Sequence, residues 1–233
     1  MFQRQGGGCF VINSFIKVVL QNLGYQAYLI ERCLPGTKRT GTEGHIGLIV
    51  QNVTHHGSKH LMEPGTRHPI LQLIPLNFAR VSPEYNLGHY SIRLFKDVSG
   101  IVHLCRPTLD DNIDDNDTMN FEGKKWEILI TYRTLRSLSI EDCEKETNNI
   151  LQDRNLMPEL HDKLIIFGFS QGRWTAVVGR NFVQYGSRPG LATRKVMKNN
   201  AEMVETICKH FPQYPKERVA EVLMFWYPDR HVV

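Results

Sequence analysis

The chain has no cysteine pair at the spacing of a zinc or redox motif. Its five cysteines, Cys9, Cys33, Cys105, Cys143 and Cys208, are far apart and odd in number. That excludes a zinc ribbon or a dithiol oxidoreductase and argues against a disulfide framework. No run of about 18 apolar residues occurs, so no helical membrane span is expected. The first residues are polar and glycine-rich, unlike a secretory leader. There is no internal repeat. Neither sign of charge dominates: 28 Lys and Arg stand against 24 Asp and Glu, a net +4. So mild an excess suits a phosphate-bearing ligand and gives no basis for a nucleic-acid partner. What remains is an ordinary globular composition, 41% hydrophobic and 22% charged, expected to be reduced and cytoplasmic.

Periodicity divides the chain into a helix, a run of strands and a mixed region. Phe10, Ile12, Phe15, Ile16, Val19, Leu20 and Leu23 follow a 3.6-residue period and Gly24 stops it, which predicts a helix over 9–23. Tyr25–Cys33, His45–Val53 and Lys59–Glu63 read as strands, the last two joined by a hairpin loop at Thr54–Ser58. Tyr90–Phe95, Ile101–Arg106 and Trp126–Tyr132 are further strands. Ser139 caps a helix to Leu151 with Asp142 in its first turn. Leu164–Ser170 and Thr175–Tyr185 alternate as paired strands, and Ala201–Phe211 and Lys216–Phe225 close the chain as helices. The acidic tract Asp110–Asp117 lacks the glycine and terminal glutamate of an EF-hand and reads as a loop.

The residue with the most chemical promise is Cys9. It follows Gly6–Gly8 at the start of the first helix, where the helix dipole and unpaired N–H groups favour a thiolate. The hairpin brings His45, at the start of one strand, near Glu63, at the end of its return strand. A carboxylate beside an imidazole fixes its tautomer and supports its charge, and the imidazole can take a thiol's proton. Cys9, His45 and Glu63 thus have the roles that covalent acyl transfer requires. The same residues also admit a plainer reading as a buried helix-start thiol, a strand-end histidine and a surface carboxylate. On residue types alone the plainer reading stands ahead.

The stretches QGGGCFVIN (Gln5–Asn13), LGY (Leu23–Tyr25), TEGHIGLIV (Thr42–Val50) and HLMEPG (His60–Gly65), in that order, resemble the arylamine N-acetyltransferase family. The resemblance implies an α+β fold with a cysteine-protease-like (papain-like) core in three parts. These are a helical remnant over 1–24 carrying the nucleophile, a β-barrel over 25–135 and an α/β lid over 136–233. It implies Cys9 as the acetylated nucleophile, His45 as the base and Glu63 in place of the usual aspartate. It also implies a ping-pong reaction from acetyl-CoA to an aromatic amine or hydrazine. Gly41 and Thr42 stand where coenzyme A approaches, and no metal or membrane is involved.

Departures from the family pattern are Gln5 for arginine, Val11 for glutamate or glutamine, and Thr66 for a pocket aromatic residue. Asn13, one turn after Cys9, matches. Only eight residues precede Cys9 where the family has a helical segment, so an N-terminally short chain with an exposed, apolar first helix is expected. Two alternatives stay open: a transglutaminase-like thiol acyl-transfer enzyme, and a catalytically impaired or binding protein of the same fold.

Other motifs are weaker. Gly168-Phe169-Ser170-Gln171-Gly172 fits the G-x-S-x-G elbow of α/β-hydrolases. A strand is expected after it, however, where an elbow needs a helix, and Asp229 and His231 leave no room for a triad. Gln171-Gly172 is expected to be a hairpin turn. His55, His56 and His60 are read as surface loop histidines. Arg180, Arg188, Arg194, Lys195 and Lys198 form a basic stretch, read as a solvated face, with a hold on the coenzyme's phosphates as the alternative. Asn52-Val53-Thr54 and Asn116-Asp117-Thr118 match glycosylation sequons without a secretory route.

Overall fold

The structure is a computed structural model that describes residues 7–32, 45–66, 70–86, 91–97, 101–107, 118–155, 161–186 and 192–228. The chain forms two compact units, Gly6–Leu156 and Met157–Val233. Gln5, Cys33, Asp110–Asp117, Arg188, Asp229 and His231 lie outside the described residues.

The first unit opens with α1 (Cys9–Asn22), preceded by Gly8 in extended conformation. The helix stops where the sequence predicts. Gly24 sits at φ +90, Tyr25 N–H donates to Leu20 C=O and Gly24 N–H to Gln21 C=O, the paired bonds of a glycine-terminated helix end. Phe10 and Asn13 are buried, and α1 packs on the first two strands. Its outward stripe, Val11, Phe15, Val18, Val19 and Leu23, is exposed.

The strands of this unit are β1 (Gln26–Arg32), β2 (Ile46–Gln51), β3 (Lys59–Glu63), β4 (Ile70–Pro75), β5 (Tyr85–Asn86), β6 (Ser91–Lys96), β7 (Ile101–Pro107), β8 (Thr118–Phe121) and β9 (Lys124–Leu138). They form one antiparallel sheet in the order β4-β3-β2-β1-β9-β7-β6-β5, with β8 on β9. The barrel expected for 25–135 therefore takes the form of a curled half-barrel, with β4 and β5 at its two edges among the described residues. Its buried face is aliphatic: Ile30, Ile49, Leu61, Ile74, Leu94 and Leu104 pack around Tyr132. Burial of that apolar surface is the main term holding the sheet together.

Two local features position the site. The β2–β3 hairpin pairs Gln51 with Lys59 and Leu48 with Met62, a register that sets Gly47 beside Glu63. Its loop is closed by Gly57 N–H donating to Asn52 Oδ1 at 2.7 Å, with Asn52 and Gly57 both at positive φ. Between β1 and β9 the register breaks after Ile30, pairing Glu31 with Arg133 and Arg32 with Tyr132. Such a bulge re-aims side chains, and here it turns Tyr132 toward Glu63.

Helix α2 (Ile140–Gln152) follows β9. Ser139 accepts from Asp142 N–H while the Asp142 carboxylate accepts from Ser139 N–H, a complete capping box.

The second unit is an antiparallel meander of β10 (Ile165–Ser170), β11 (Arg173–Val178), β12 (Asn181–Tyr185) and β13 (Ala192–Val196). Helices α3 (Asn200–His210) and α4 (Lys216–Trp226) pack with it through Val177, Phe182, Met203, Ile207, Phe211 and Leu223. The expected single strand Thr175–Tyr185 is two strands, because Gly179 takes φ +58 and reverses the chain. Strand β13 is exposed along its whole length, which is why its residues read as a solvated basic stretch. Lys195 pairs there with Glu202 at 2.6 Å.

Removing the Ser139 hydroxyl strips a hydrogen bond from an exposed helix start. Ser139→Ala is expected to cost about 1 kcal/mol in urea unfolding. An unchanged midpoint would show that the cap contributes nothing.

Candidate active site

Glu63 ends β3 with its side chain fully buried, and four groups converge on its carboxylate. Asn13 Nδ2 donates to Oε1 at 3.3 Å and also to Ile46 C=O at 2.7 Å. Gly65 N–H donates to Oε1 at 3.2 Å. Tyr132 O–H donates to Oε2. His45 Nε2 lies 3.1 Å from the same Oε2. That last approach is close enough for charge pairing but oblique for a straight hydrogen bond. A buried carboxylate survives only when it is paired and hydrogen-bonded, and Glu63 is both.

The ring of His45 joins this carboxylate to the nucleophile. Its side chain is hydrogen-bonded to Cys9 as well as charge-paired with Glu63. Burial by itself pulls the His45 pKa down and is the largest single influence. The charges of Glu63 and of a Cys9 thiolate, with hydrogen bonds to both, together outweigh it and hold the ring at about 10 against an ordinary 6.5. Burial, then the Glu63 charge, pushes Tyr132 well above its ordinary value, so it stays a donor.

Two glycines are required by close approach. A Cβ on Gly65 would lie 2.8 Å from Cys9 Cα and 2.9 Å from Asn13 Nδ2, so the turn after β3 presses directly on the start of α1. A Cβ on Gly47 would lie 2.8 Å from the Tyr132 ring and 3.1 Å from Glu63 Oε2.

The structure therefore brings Cys9, His45 and Glu63 together across sequence separations that the hairpin and α1 bridge. Asn13 belongs to the same cluster. Tyr132 does too, and sequence reasoning missed it; the only signal was a tyrosine at the end of a strand run, which says nothing of its partner in a distant strand. Gly41 and Thr42 lie outside the described residues.

Of the other cysteines, burial pushes Cys105 up, while burial and then the Asp142 charge raise Cys143 to about 11. Both are thereby held as unreactive thiols. His60 departs from its reading as a loop histidine: it is buried on β3 opposite Val50, and burial, then the charge of His55, lowers its pKa. Among the described residues no cluster of three or more His, Cys, Asp and Glu could hold a metal ion, and no helix is long and apolar enough to cross a membrane.

The G-x-S-x-G segment is a strand–turn–strand, with Gln171 at φ 53 and Gly172 at φ 72 between β10 and β11. Ser170 Oγ does meet His210 Nδ1 at 3.1 Å, yet no carboxylate is bonded to that ring among the described residues. The helix a hydrolase elbow needs is replaced by β11.

No protein-family model matches the chain, and no curated protein matches it. Solved structures do. The arylamine N-acetyltransferase from Mycobacterium abscessus superposes with TM-score 0.72 at 15% identity, over 97% of this chain and 74% of that one. The Mycobacterium marinum arylamine N-acetyltransferase, solved in complex with CoA, gives 0.67 at 17% identity over 95% and 76%. The Salmonella typhimurium enzyme gives 0.68 at 13% identity over 96% and 77%. The chain thus has the mixed α+β fold of the arylamine N-acetyltransferases.

Two expectations follow from this geometry. His45 has a raised folded pKa, so its protonated ring contributes stability fully below pH 6.5 and loses it as pH rises through about 10. The wild-type chain should lose stability across that window relative to His45→Gln; parallel curves would contradict the assignment. Gly65→Ala should slow iodoacetamide alkylation of Cys9, because backbone rather than a flexible side chain occupies the space. An unaffected rate in a folded variant would mean that the contact does not position the nucleophile.

Proposed function

We propose that this protein transfers an acetyl group from acetyl-CoA to the nitrogen of an arylamine or hydrazine, by a ping-pong reaction through a Cys9 thioester. The observation that carries the proposal is the His45 ring, bonded on one side to Cys9 and charge-paired on the other with the buried Glu63. The shared fold adds to it, as does a neighbour that binds CoA.

In the first half-reaction His45 takes the Cys9 proton and the thiolate attacks the acetyl carbonyl. The oxyanion forms beside the N–H groups at the start of α1, which are aimed outward. The carbon–sulfur bond to the coenzyme then breaks, and the coenzyme thiol leaves with the proton held by His45. In the second half-reaction the amine nitrogen attacks the Cys9 thioester. His45 removes the nitrogen's proton and returns it to the departing Cys9 sulfur. Glu63 touches neither substrate. It is a positioning residue that orients His45 and supports the imidazolium, while Asn13, Gly65 and Tyr132 hold Glu63 in turn.

The same reading keeps a papain-like arrangement of thiol, imidazole and acid as the core of the fold, and the three-part division at 24 and 135. Gly41 and Thr42 keep their assignment to the coenzyme, and the cytoplasm is the expected compartment.

The test is trapping. Acetyl-CoA without acceptor should leave one acetyl group per chain, located on Cys9 by peptide mass mapping, and an arylamine should then remove it. Cys9→Ala should neither trap nor transfer. Amine acetylation by that variant, or an adduct elsewhere, would refute the proposal.

A further inference from the structure

Helix α1 packs on β1, β2 and α2 along one side of its axis. At about 100° per residue, Cys9 and the buried Phe10 and Asn13 fall on that side. Val11, Phe15, Val18 and Val19 fall within roughly 100° of arc on the opposite side. Val11 is 54% exposed, Phe15 63%, Val18 42% and Val19 40%, and Leu23, at the helix end, is 68% exposed. Val11, Phe15, Val19 and Leu23 stand four residues apart, so they form one unbroken ridge with Val18 beside it.

No charge interrupts that ridge. The single charged residue of α1 is Lys17, whose charge acts on Cys143 of α2, away from the stripe. Asn22 is the one polar residue on the exposed side, and its Nδ2 is already engaged, donating to Val18 C=O at 2.8 Å. Other exposed apolar side chains are dispersed: Leu135 is on β9, Leu151 on α2, Phe169 on β10 and Phe225 on α4.

The five side chains leave on the order of 500 Å² of apolar surface in one strip, a size at which a patch commonly serves binding. An uncharged strip selects its partner by shape. A second α1 presents the same ridge and the same groove beside it, and such ridges interdigitate when two helices cross at about −50°. Two strips in contact would cover on the order of 1,000 Å², the area that a specific interface must reach. A self-complementary contact of this kind is two-fold symmetric and closes at two copies.

We propose that α1 is the interface of a homodimer, in which Val11, Phe15, Val18, Val19 and Leu23 of two chains pack across a two-fold axis. The nucleophile's side of α1 faces away from that axis, so the Cys9, His45 and Glu63 cluster of each protomer takes no part in the contact. The inference is independent of the acetyl-transfer reading.

The test uses the full-length chain in size-exclusion chromatography with light scattering from roughly 1 to 100 μM, the range that suits an interface of modest area. The mass should rise from one chain to two across that range and stop there. Over the same concentrations, hydrogen exchange of the amides of residues 11–23 should slow severalfold, while that of α4 stays constant. Phe15→Glu and Val19→Glu should remain monomeric throughout with helical circular dichroism unchanged. Leu135→Glu and Phe225→Glu, at exposed positions on other elements, should dimerise like wild type.

A wild-type chain that stays monomeric at the top of the range would overturn the proposal, as would open-ended growth past two copies. A dimer that survives both α1 substitutions, or that Phe225→Glu abolishes, lies on another surface and overturns it too. Should either α1 variant unfold, the concentration dependence of wild-type exchange over 11–23 decides by itself: slowing there supports the interface, and no change refutes it.

Discussion

A carboxylate enclosed by protein on every side is the constraint on which the site depends. Glu63 is fully buried, and leaving such a charge unpaired would cost several kcal/mol. The chain meets that demand with groups from three separate elements. Asn13 comes from the first helix, His45 from the lead-in to β2 and Tyr132 from β9, with the Gly65 amide added by the turn that follows. Each of these contacts ties an element to the same point. The electrostatic requirement of one side chain therefore also fixes where the nucleophile's helix sits on the sheet.

This arrangement links fold and chemistry through small residues. Gly65 lets the β3 turn reach the backbone of Cys9, and Gly47 leaves room for the Tyr132 ring above Glu63. The break in register between β1 and β9 brings Tyr132 inward and sets Arg32 beside it. A regular ladder would have placed different side chains opposite Arg32, since a slip of one residue reverses the face. The half-barrel therefore supplies a rigid aliphatic base of Ile30, Leu61 and Leu94, and the polar cluster occupies the end of it nearest α1.

Much of this was legible from local pattern. The helix over 9–23 ended one residue early, the strand Lys59–Glu63 fell where expected, and Ser139 capped its helix with Asp142 as its partner. The pairing of His45 with Glu63 followed from hairpin reasoning, because a short loop fixes register. Long-range facts were not legible. Strand β9 runs far past Tyr132, since cross-strand pairing rather than propensity sets its length. Strands β4, β5, β8 and β13 escaped notice: β4 is an apolar run without alternation, β5 has two residues, and β8 and β13 carry few apolar residues. His60 was read as a surface residue but is buried, since its position beside Val50 depends on the sheet and not on its neighbours in sequence. The open sheet, in place of a closed barrel, could not be inferred from strand count.

The protonation state of one ring decides the central claim. Nitrogen NMR of His45 in the wild-type chain, titrated from acid to alkaline pH, measures it directly. The coupled thiol, imidazole and carboxylate require a ring that remains protonated through neutrality and releases its proton near pH 10. In Glu63→Gln the same ring should titrate at distinctly lower pH. A wild-type ring that deprotonates near its ordinary value of 6.5, indifferent to the Glu63 substitution, would contradict the account.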